Sequence, residues 1–199
     1  RQAEQLGAKV IQDEVVGVGW QGEFIVNTKK EEYKAPVLLL TTGASRNTPN
    51  IPGVKEFEGK GVSYCAVCDA FFYRNRPVAV LGSGSYAVHE ALALLPTSSS
   101  VTLLTNGQEL KEPIPKDLRI CRKEISSLSG DSLLREVNFQ DGTSLAVDGL
   151  FVAVGVASSS DLARKLGVQM EPPYIVVNER METNVPGLYA AGDCTGGLL

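Results

Sequence analysis

The segment Gly82-Ser83-Gly84-Ser85-Tyr86-Ala87 constrains this 199-residue chain more than any other. It follows the short apolar run Pro77 to Leu81 and opens Tyr86 to Leu95, where Ala87, Val88, Ala91, Leu92 and Leu95 recur at helical spacing. A second apolar run, Val101 to Thr105, comes next. Together these segments read as a βαβ unit of a dinucleotide fold. In such a unit Gly82 makes the tight turn, Gly84 lets the backbone approach a pyrophosphate, and the small Ala87 permits close packing of helix on strand. The ribose-selecting residue belongs about 20 positions further on, as an acid for NAD or an arginine for NADP. Thr105-Asn106-Gly107 supplies neither. A glycine turn retained for packing alone, with no bound dinucleotide, is the alternative reading.

Around this unit the pattern is mixed α/β. Arg1 to Leu6 reads as the end of a helix stopped at Gly7. Lys9 to Val18, Glu23 to Thr28 and Tyr33 form an antiparallel meander leading into a buried strand, Val37 to Leu40. Gly43 to Gly61 is rich in Gly, Pro, Asn and Ser and reads as a connection between domains. Leu133 to Gln140 and Thr143 to Val147 form a hairpin turning at Asp141-Gly142, followed by a buried strand, Leu150 to Val156. A short helix, Asp161 to Leu166, is capped from the serine run and ended by Gly167; strands Tyr174 to Val177 and Gly187 to Ala191 follow.

Composition limits the partners. Nineteen Lys and Arg against 23 Asp and Glu give a formal charge of -4, without the basic excess that nucleic-acid binding needs. The longest apolar runs fall far short of the roughly 20 residues of a membrane helix. We therefore expect no nucleic acid, no membrane span and a cytoplasmic location. Four cysteines are too few for a secreted disulfide scaffold. Two of them stand as Cys65-Ala66-Val67-Cys68, next to Asp69. Thiols at this spacing can close a disulfide and exchange it, and a neighbouring carboxyl can carry the proton that thiolate chemistry gives or takes. A zinc half-site completed by Cys121, Cys194 or His89 is one alternative, and a pair of small buried hydrophobes is another. His89 falls off the apolar stripe and reads as a solvated helix residue. In Thr183 to Asp193 a strand ends in Gly192-Asp193, which brings backbone close to a ligand and offers a carboxylate to a sugar or ribityl hydroxyl; a turn with an N-cap aspartate fits equally.

Taken together, these residues resemble the low-molecular-weight thioredoxin reductase family of FAD-dependent pyridine nucleotide-disulfide oxidoreductases. Thr41-Thr42-Gly43-Ala44-Ser45 is similar to its flavin-contacting segment, Ile51-Pro52-Gly53 and Gly61-Val62-Ser63-Tyr64 to its linker, Cys65 to Asp69 to its redox centre, and Thr183 to Asp193 to its second flavin signature. The resemblance implies that Cys65 attacks the substrate disulfide, Cys68 faces the flavin, Asp69 is the acid/base, and Thr42, Gly43, Gly192 and Asp193 line the FAD site. It also implies an α/β architecture in which a Rossmann-like three-layer domain, residues 46–157, is inserted in a second, incomplete FAD-type Rossmann domain formed by 1–45 and 158–199 with the small meander. Electrons would pass from NADPH, NADH or ferredoxin through FAD to the dithiol and on to a thioredoxin-like protein, in a homodimer. Where NADPH-dependent members carry a basic cluster after the second Rossmann strand, this chain has Thr105 to Gln108, which is more similar to the ferredoxin-linked or NADPH-independent branch. An FAD glycine turn is expected upstream of Arg1 and a helix beyond Gly197. A redox-sensing or binding module without turnover is the rival from another class.

Overall fold

The computed structural model describes residues 2–43, 48–110, 113, 115–116, 118–171 and 174–196. It opens on a short helix, α1 (Gln2–Gln5), and an antiparallel meander, β1 (Val15–Trp20), β2 (Phe24–Thr28) and β3 (Glu32–Ala35), that leads to β4 (Leu38–Leu40). After β5 (Val62–Ser63) come a single helical turn, α2 (Ala66–Asp69), and a 3-10 turn over Ala70–Tyr73. The predicted βαβ unit follows as β6 (Pro77–Leu81), α3 (Ser85–Leu94) and β7 (Ser100–Leu104), with β8 (Arg119–Cys121) beyond it. A second antiparallel meander, β9 (Ile125–Gly130), β10 (Leu134–Phe139) and β11 (Ser144–Ala146), precedes β12 (Gly149–Val152) and α4 (Ser159–Lys165). The last strands are β13 (Met170–Glu171), β14 (Tyr174–Ile175) and β15 (Leu188–Ala190).

The centre is a five-stranded, all-parallel sheet in the order β5-β12-β6-β7-β8. Its inner strands β12 and β6 are buried on both faces, as parallel strands require, while the edge strand β8 is not. Because side chains alternate, Val78 and Val80 of β6 enter one core while Ala79 and Leu81 enter another. The first core contains α3 and extends to Val18, Phe24 and Leu40 of the amino-terminal strands and to Leu188 and Ala190 of β15. The second lies between the sheet and the β9–β11 meander, through Leu128, Leu134, Val137 and Phe139. The layers are therefore helix, parallel sheet and antiparallel sheet. The β4 and β15 segments pair with each other in parallel, Leu38 opposite Leu188 and Leu40 opposite Ala190, so residues 150 apart in sequence share one edge.

Several local expectations are corrected. Val37 to Leu40 is not a buried strand: Val37 and Leu39 are each 55% exposed, Leu38 is partly buried against the core, and Leu40 alone is fully buried at 4%. The buried face of α3 is Tyr86, Ala87, Glu90, Ala91 and Leu94, a register that turns Leu92 outward and Glu90 inward. The expected strand Leu150 to Val156 stops at Val152, and Val156 is exposed. His89 is half-buried rather than fully solvated. It packs across β1, where a Cβ added to Gly17 would come within 2.4 Å of its Nε2. The serine cap of α4 is present as expected: Ser158 Oγ accepts from the Asp161 amide while Asp161 Oδ2 accepts from the Ser158 amide, a reciprocal box that satisfies two orphan donors.

Candidate active site

Cys65 and Cys68 are joined as a disulfide with Cα atoms 5.3 Å apart, within the span a disulfide needs. Cys65 ends the extended approach from β5 and caps α2, so the Cys68 amide points at Cys65 Sγ from 3.2 Å. That N–H stabilises the thiolate left on Cys65 after reduction. The two sulfurs are unequal in access. Cys65 is 4% exposed, whereas Cys68 lies on the exposed side of the turn. Asp69 follows directly, and its Oδ2 accepts a hydrogen bond from Ser63 Oγ at 2.6 Å; Ser63 Oγ in turn accepts from the Cys65 amide. One serine thus ties the carboxylate to the backbone of the redox turn. The charge on Asp69, after burial itself, helps hold the Tyr73 phenol above its ordinary range.

Two further features of this site had no clear sequence signal. Phe71 and Phe72, on the 3-10 turn immediately after Asp69, are 76% and 70% exposed. Glu90, from the buried face of α3, accepts the Ala66 amide at 2.9 Å and takes an ion pair from Lys165 of α4. Apolar neighbours would have placed Phe71 and Phe72 in a core, and a glutamate in a helix reads as solvent-facing until the helix register is known. The zinc ligands considered from sequence do not come together. Among the described residues no group of three His, Cys, Asp or Glu could hold a metal ion.

The glycine turn sits where the pattern places it, between β6 and α3, and its glycines differ in kind. Gly82 has φ +154°, and a Cβ there would meet Ala153 O at 2.2 Å and the Ala87 Cβ at 2.7 Å. Gly82 and Ala87 thus serve close packing. A Cβ on Gly84 would meet only Gly155 O at 3.6 Å, which leaves its backbone open to approach. Across the turn, Ser83 Oγ donates to Gln108 Oε1 at 2.7 Å, and the hollow there, lined by Pro49, Ser83, Thr105, Asn106 and Gln108, is about 160 Å³. Sites for drug-sized ligands run from about 300 to 1,000 Å³. Of the basic residues near the selector strand, Lys123 is committed to Asp141 at 2.8 Å, and Lys111 lies outside the described residues.

In a separate two-stranded sheet, the parallel β4 and β15 end side by side at Leu40 and Ala190, with Thr42 and Gly43 two and three residues beyond one and Gly192 and Asp193 two and three beyond the other. Gly43 and Gly192 have φ of +77° and +83°, a region glycine enters freely, and the Asp193 side chain is exposed. Gly192 holds the cap position before a 3-10 turn, Asp193–Thr195. Ala44 and Ser45, which complete the motif, lie outside the described residues, as does Gly197.

Comparison with known proteins settles the lineage of this constellation. The family model described as pyridine nucleotide-disulphide oxidoreductase matches residues 2–199. The chain belongs to that family. Within the family it is similar to the thioredoxin reductase of Peptoclostridium acidaminophilum, 33% identical over 217 residues covering 96% of this chain and 68% of that protein. Its fold matches the atypical thioredoxin reductase TRi from Desulfovibrio vulgaris Hildenborough with a TM-score of 0.90 and 39% identity, covering 100% of this chain and 70% of that one. A ferredoxin-flavin thioredoxin reductase from Clostridium acetobutylicum matches at 29% identity and a TM-score of 0.62, covering 99% and 68%. The chain thus spans about two thirds of the length of these relatives.

Proposed function

We propose that the protein carries electrons from reduced FAD to the Cys65–Cys68 disulfide and from that dithiol to the disulfide of a thioredoxin-like protein. The observation that carries this reading is the disulfide itself, with Cys65 covered and Cys68 exposed, a carboxylate adjoining it and two solvent-facing phenylalanines beside it. FAD, the cofactor of this family, supplies two electrons to the disulfide when bound. Thr42, Gly43, Gly192 and Asp193 fit it: two parallel strands end together, two glycines leave the backbone uncovered, and an exposed carboxylate is available to a ribityl or ribose hydroxyl. Cys68, the open sulfur, is the one reached from the flavin side.

In the second half-reaction the Cys65 thiolate attacks one sulfur of the partner disulfide and the partner's other sulfur leaves as a thiolate. The Cys68 thiolate then attacks Cys65 Sγ, reforming the intramolecular disulfide and releasing the second partner thiolate. Asp69 takes the proton from the Cys65 thiol and returns it to a leaving thiolate, at a carboxylate oriented by Ser63. Phe71 and Phe72 offer a partner protein desolvated aromatic contact next to the reacting sulfur. Since Cys65 is covered here, the central unit, residues 46–157, turns against the flanks 1–45 and 158–199 between the two half-reactions. A dithiol that cycles in this way suits a reducing cytoplasm.

The electron donor to FAD is ferredoxin or another non-nucleotide source rather than NADPH or NADH. The small hollow closed by Ser83 and Gln108, and a selector strand without an acid or an arginine, support that reading. The full-length protein, titrated anaerobically with NADPH, NADH and reduced ferredoxin while flavin absorbance and thioredoxin disulfide are followed, tests both parts. We expect reduction by ferredoxin, turnover of thioredoxin disulfide, and loss of turnover in Cys65→Ser and Cys68→Ser. Flavin reduction without any disulfide turnover would sink the enzymatic reading and leave the redox sensor.

A further inference from the structure

Glu90 stands on the buried face of α3, where a helix ordinarily places an apolar residue. Its side chain is 2% exposed and that of Lys165 is 1% exposed. The two carboxylate oxygens serve different elements. Oε2 accepts the amide of Ala66, the first residue of α2, at 2.9 Å, and Oε1 accepts from Lys165 Nζ at the end of α4. The same ammonium lies over the Tyr86 ring, 5.3 Å from its centroid. A buried ion pair of this kind adds little net stability over an apolar pair, because desolvating two charges offsets their attraction. Parting the two charges is costly, however, so the pair dictates which elements can sit together. One carboxylate therefore ties the disulfide turn to α4, and Arg164 of α4, with Val168 just beyond it, lines the same hollow as Cys65, which is only 4% exposed.

We propose that Glu90 and Lys165 are positioning residues that seat the disulfide turn and keep Cys65 covered, so that Cys65 meets an outside thiol, disulfide or alkylating reagent only when Lys165 has left Glu90. This rests on the reading of Cys65 and Cys68 as a working dithiol, but its test uses neither flavin nor thioredoxin. The 199-residue protein is reduced, desalted and alkylated with iodoacetamide, and the rates at Cys65 and Cys68 are read separately by peptide mass spectrometry, each normalised to its rate in denaturant. We expect Cys65 to react at least about tenfold more slowly than Cys68, as a group released by a local opening does. In Glu90→Gln/Lys165→Met an amide oxygen still accepts the Ala66 N–H, but the tie to α4 is gone; Cys65 should then react about tenfold faster with Cys68 unchanged. Lys165→Arg, which keeps the charge, should stay near the wild-type rate. Hydrogen exchange of the unaltered protein gives a second readout that needs no variant to fold. The Ala66 amide should be protected although it opens a helix of one turn, and the Val67 amide should not. Equal normalised rates at Cys65 and Cys68 in the wild type, an unchanged Cys65 rate in the folded double variant, or fast exchange at Ala66 would each overturn the proposal, whatever the flavin-coupled assay shows.

Discussion

Gly82 and Gly84 stand two residues apart in one motif, yet they carry different constraints. At Gly82 a methyl group would have to displace the backbone oxygen of Ala153 and the side chain of Ala87, and its φ of +154° is strained for any L residue. Gly82→Ala should therefore lower the unfolding free energy by about 1–3 kcal/mol, as overpacking does. Gly84→Ala, with only Gly155 O at 3.6 Å, should cost well under that. Urea unfolding of the two variants checks the contrast, and equal costs would mean the turn is looser than described. His89 makes a second prediction. Burial against β1, and then the charge of Lys165, hold its imidazole below the ordinary value of 6.5, and Glu90 opposes that shift. A base whose folded pKa is depressed binds fewer protons folded than unfolded. Its contribution to stability is then complete above 6.5 and is lost as pH falls from there toward the folded value. Comparing urea midpoints at neutral and mildly acidic pH, the unaltered protein should lose more stability on acidification than His89→Gln; equal losses would show that His89 is solvated after all.

At the scale of elements, the junction of β6, α3 and β7 decides whether a nicotinamide dinucleotide is held. Ser83 and Gln108 bridge the mouth of the glycine turn, and Asn106 is occupied in accepting the Ile125 amide at 2.7 Å. Thr105 to Gln108 holds no acid for a ribose hydroxyl and no cation for a 2′-phosphate. Calorimetry should find weak binding of both NADPH and NADH with little preference between them. Gln108→Arg removes the bridge's acceptor and adds a cation at the end of the selector strand, so it should tighten NADPH by about tenfold and NADH much less, the scale of one charge-assisted hydrogen bond. Low-micromolar, NADPH-selective binding by the unaltered chain would show that a residue such as Arg122 already supplies the site. The βαβ unit was legible because a glycine turn between two apolar runs has few other uses. The second meander was only half legible. Its β10–β11 hairpin announces itself through Asp141-Gly142, whereas β9, Ile125-Ser126-Ser127-Leu128-Ser129-Gly130, has the composition of a loop and becomes a strand only through its pairing with β10.

Across the whole molecule, the residues proposed to line FAD lie beyond the ends of a two-stranded parallel pair, β4 and β15, where Leu39 and the preceding Val37 are each 55% exposed. Dinucleotide flavins are held largely by a pyrophosphate on a strand, glycine turn and helix, and the only such unit among the described residues is that of β6 and α3. The 199-residue polypeptide should accordingly purify without stoichiometric FAD, as read by absorbance after desalting; a yellow protein with bound flavin would mean that the site lies elsewhere. The family, the redox pair and the βαβ unit followed from sequence because each rests on short-range chemistry: two thiols three residues apart, a carboxyl beside them, glycines where strand meets helix. Apolar edges such as those of β4 and β15 need a partner, either each other or a neighbouring chain, and the structure pairs them with each other in parallel. What only the tertiary structure decided was the long-range detail: that α3 turns Glu90 inward, that Lys165 reaches it from 75 residues away, and that Cys65 is covered while Cys68 is open. A helix with apolar residues on more than one side can settle in neighbouring registers on a sheet, and the choice between them depends on what the rest of the chain packs against it. Here Ala66 and Lys165, brought in from other elements, give a buried carboxylate the partners without which that register would be prohibitively costly.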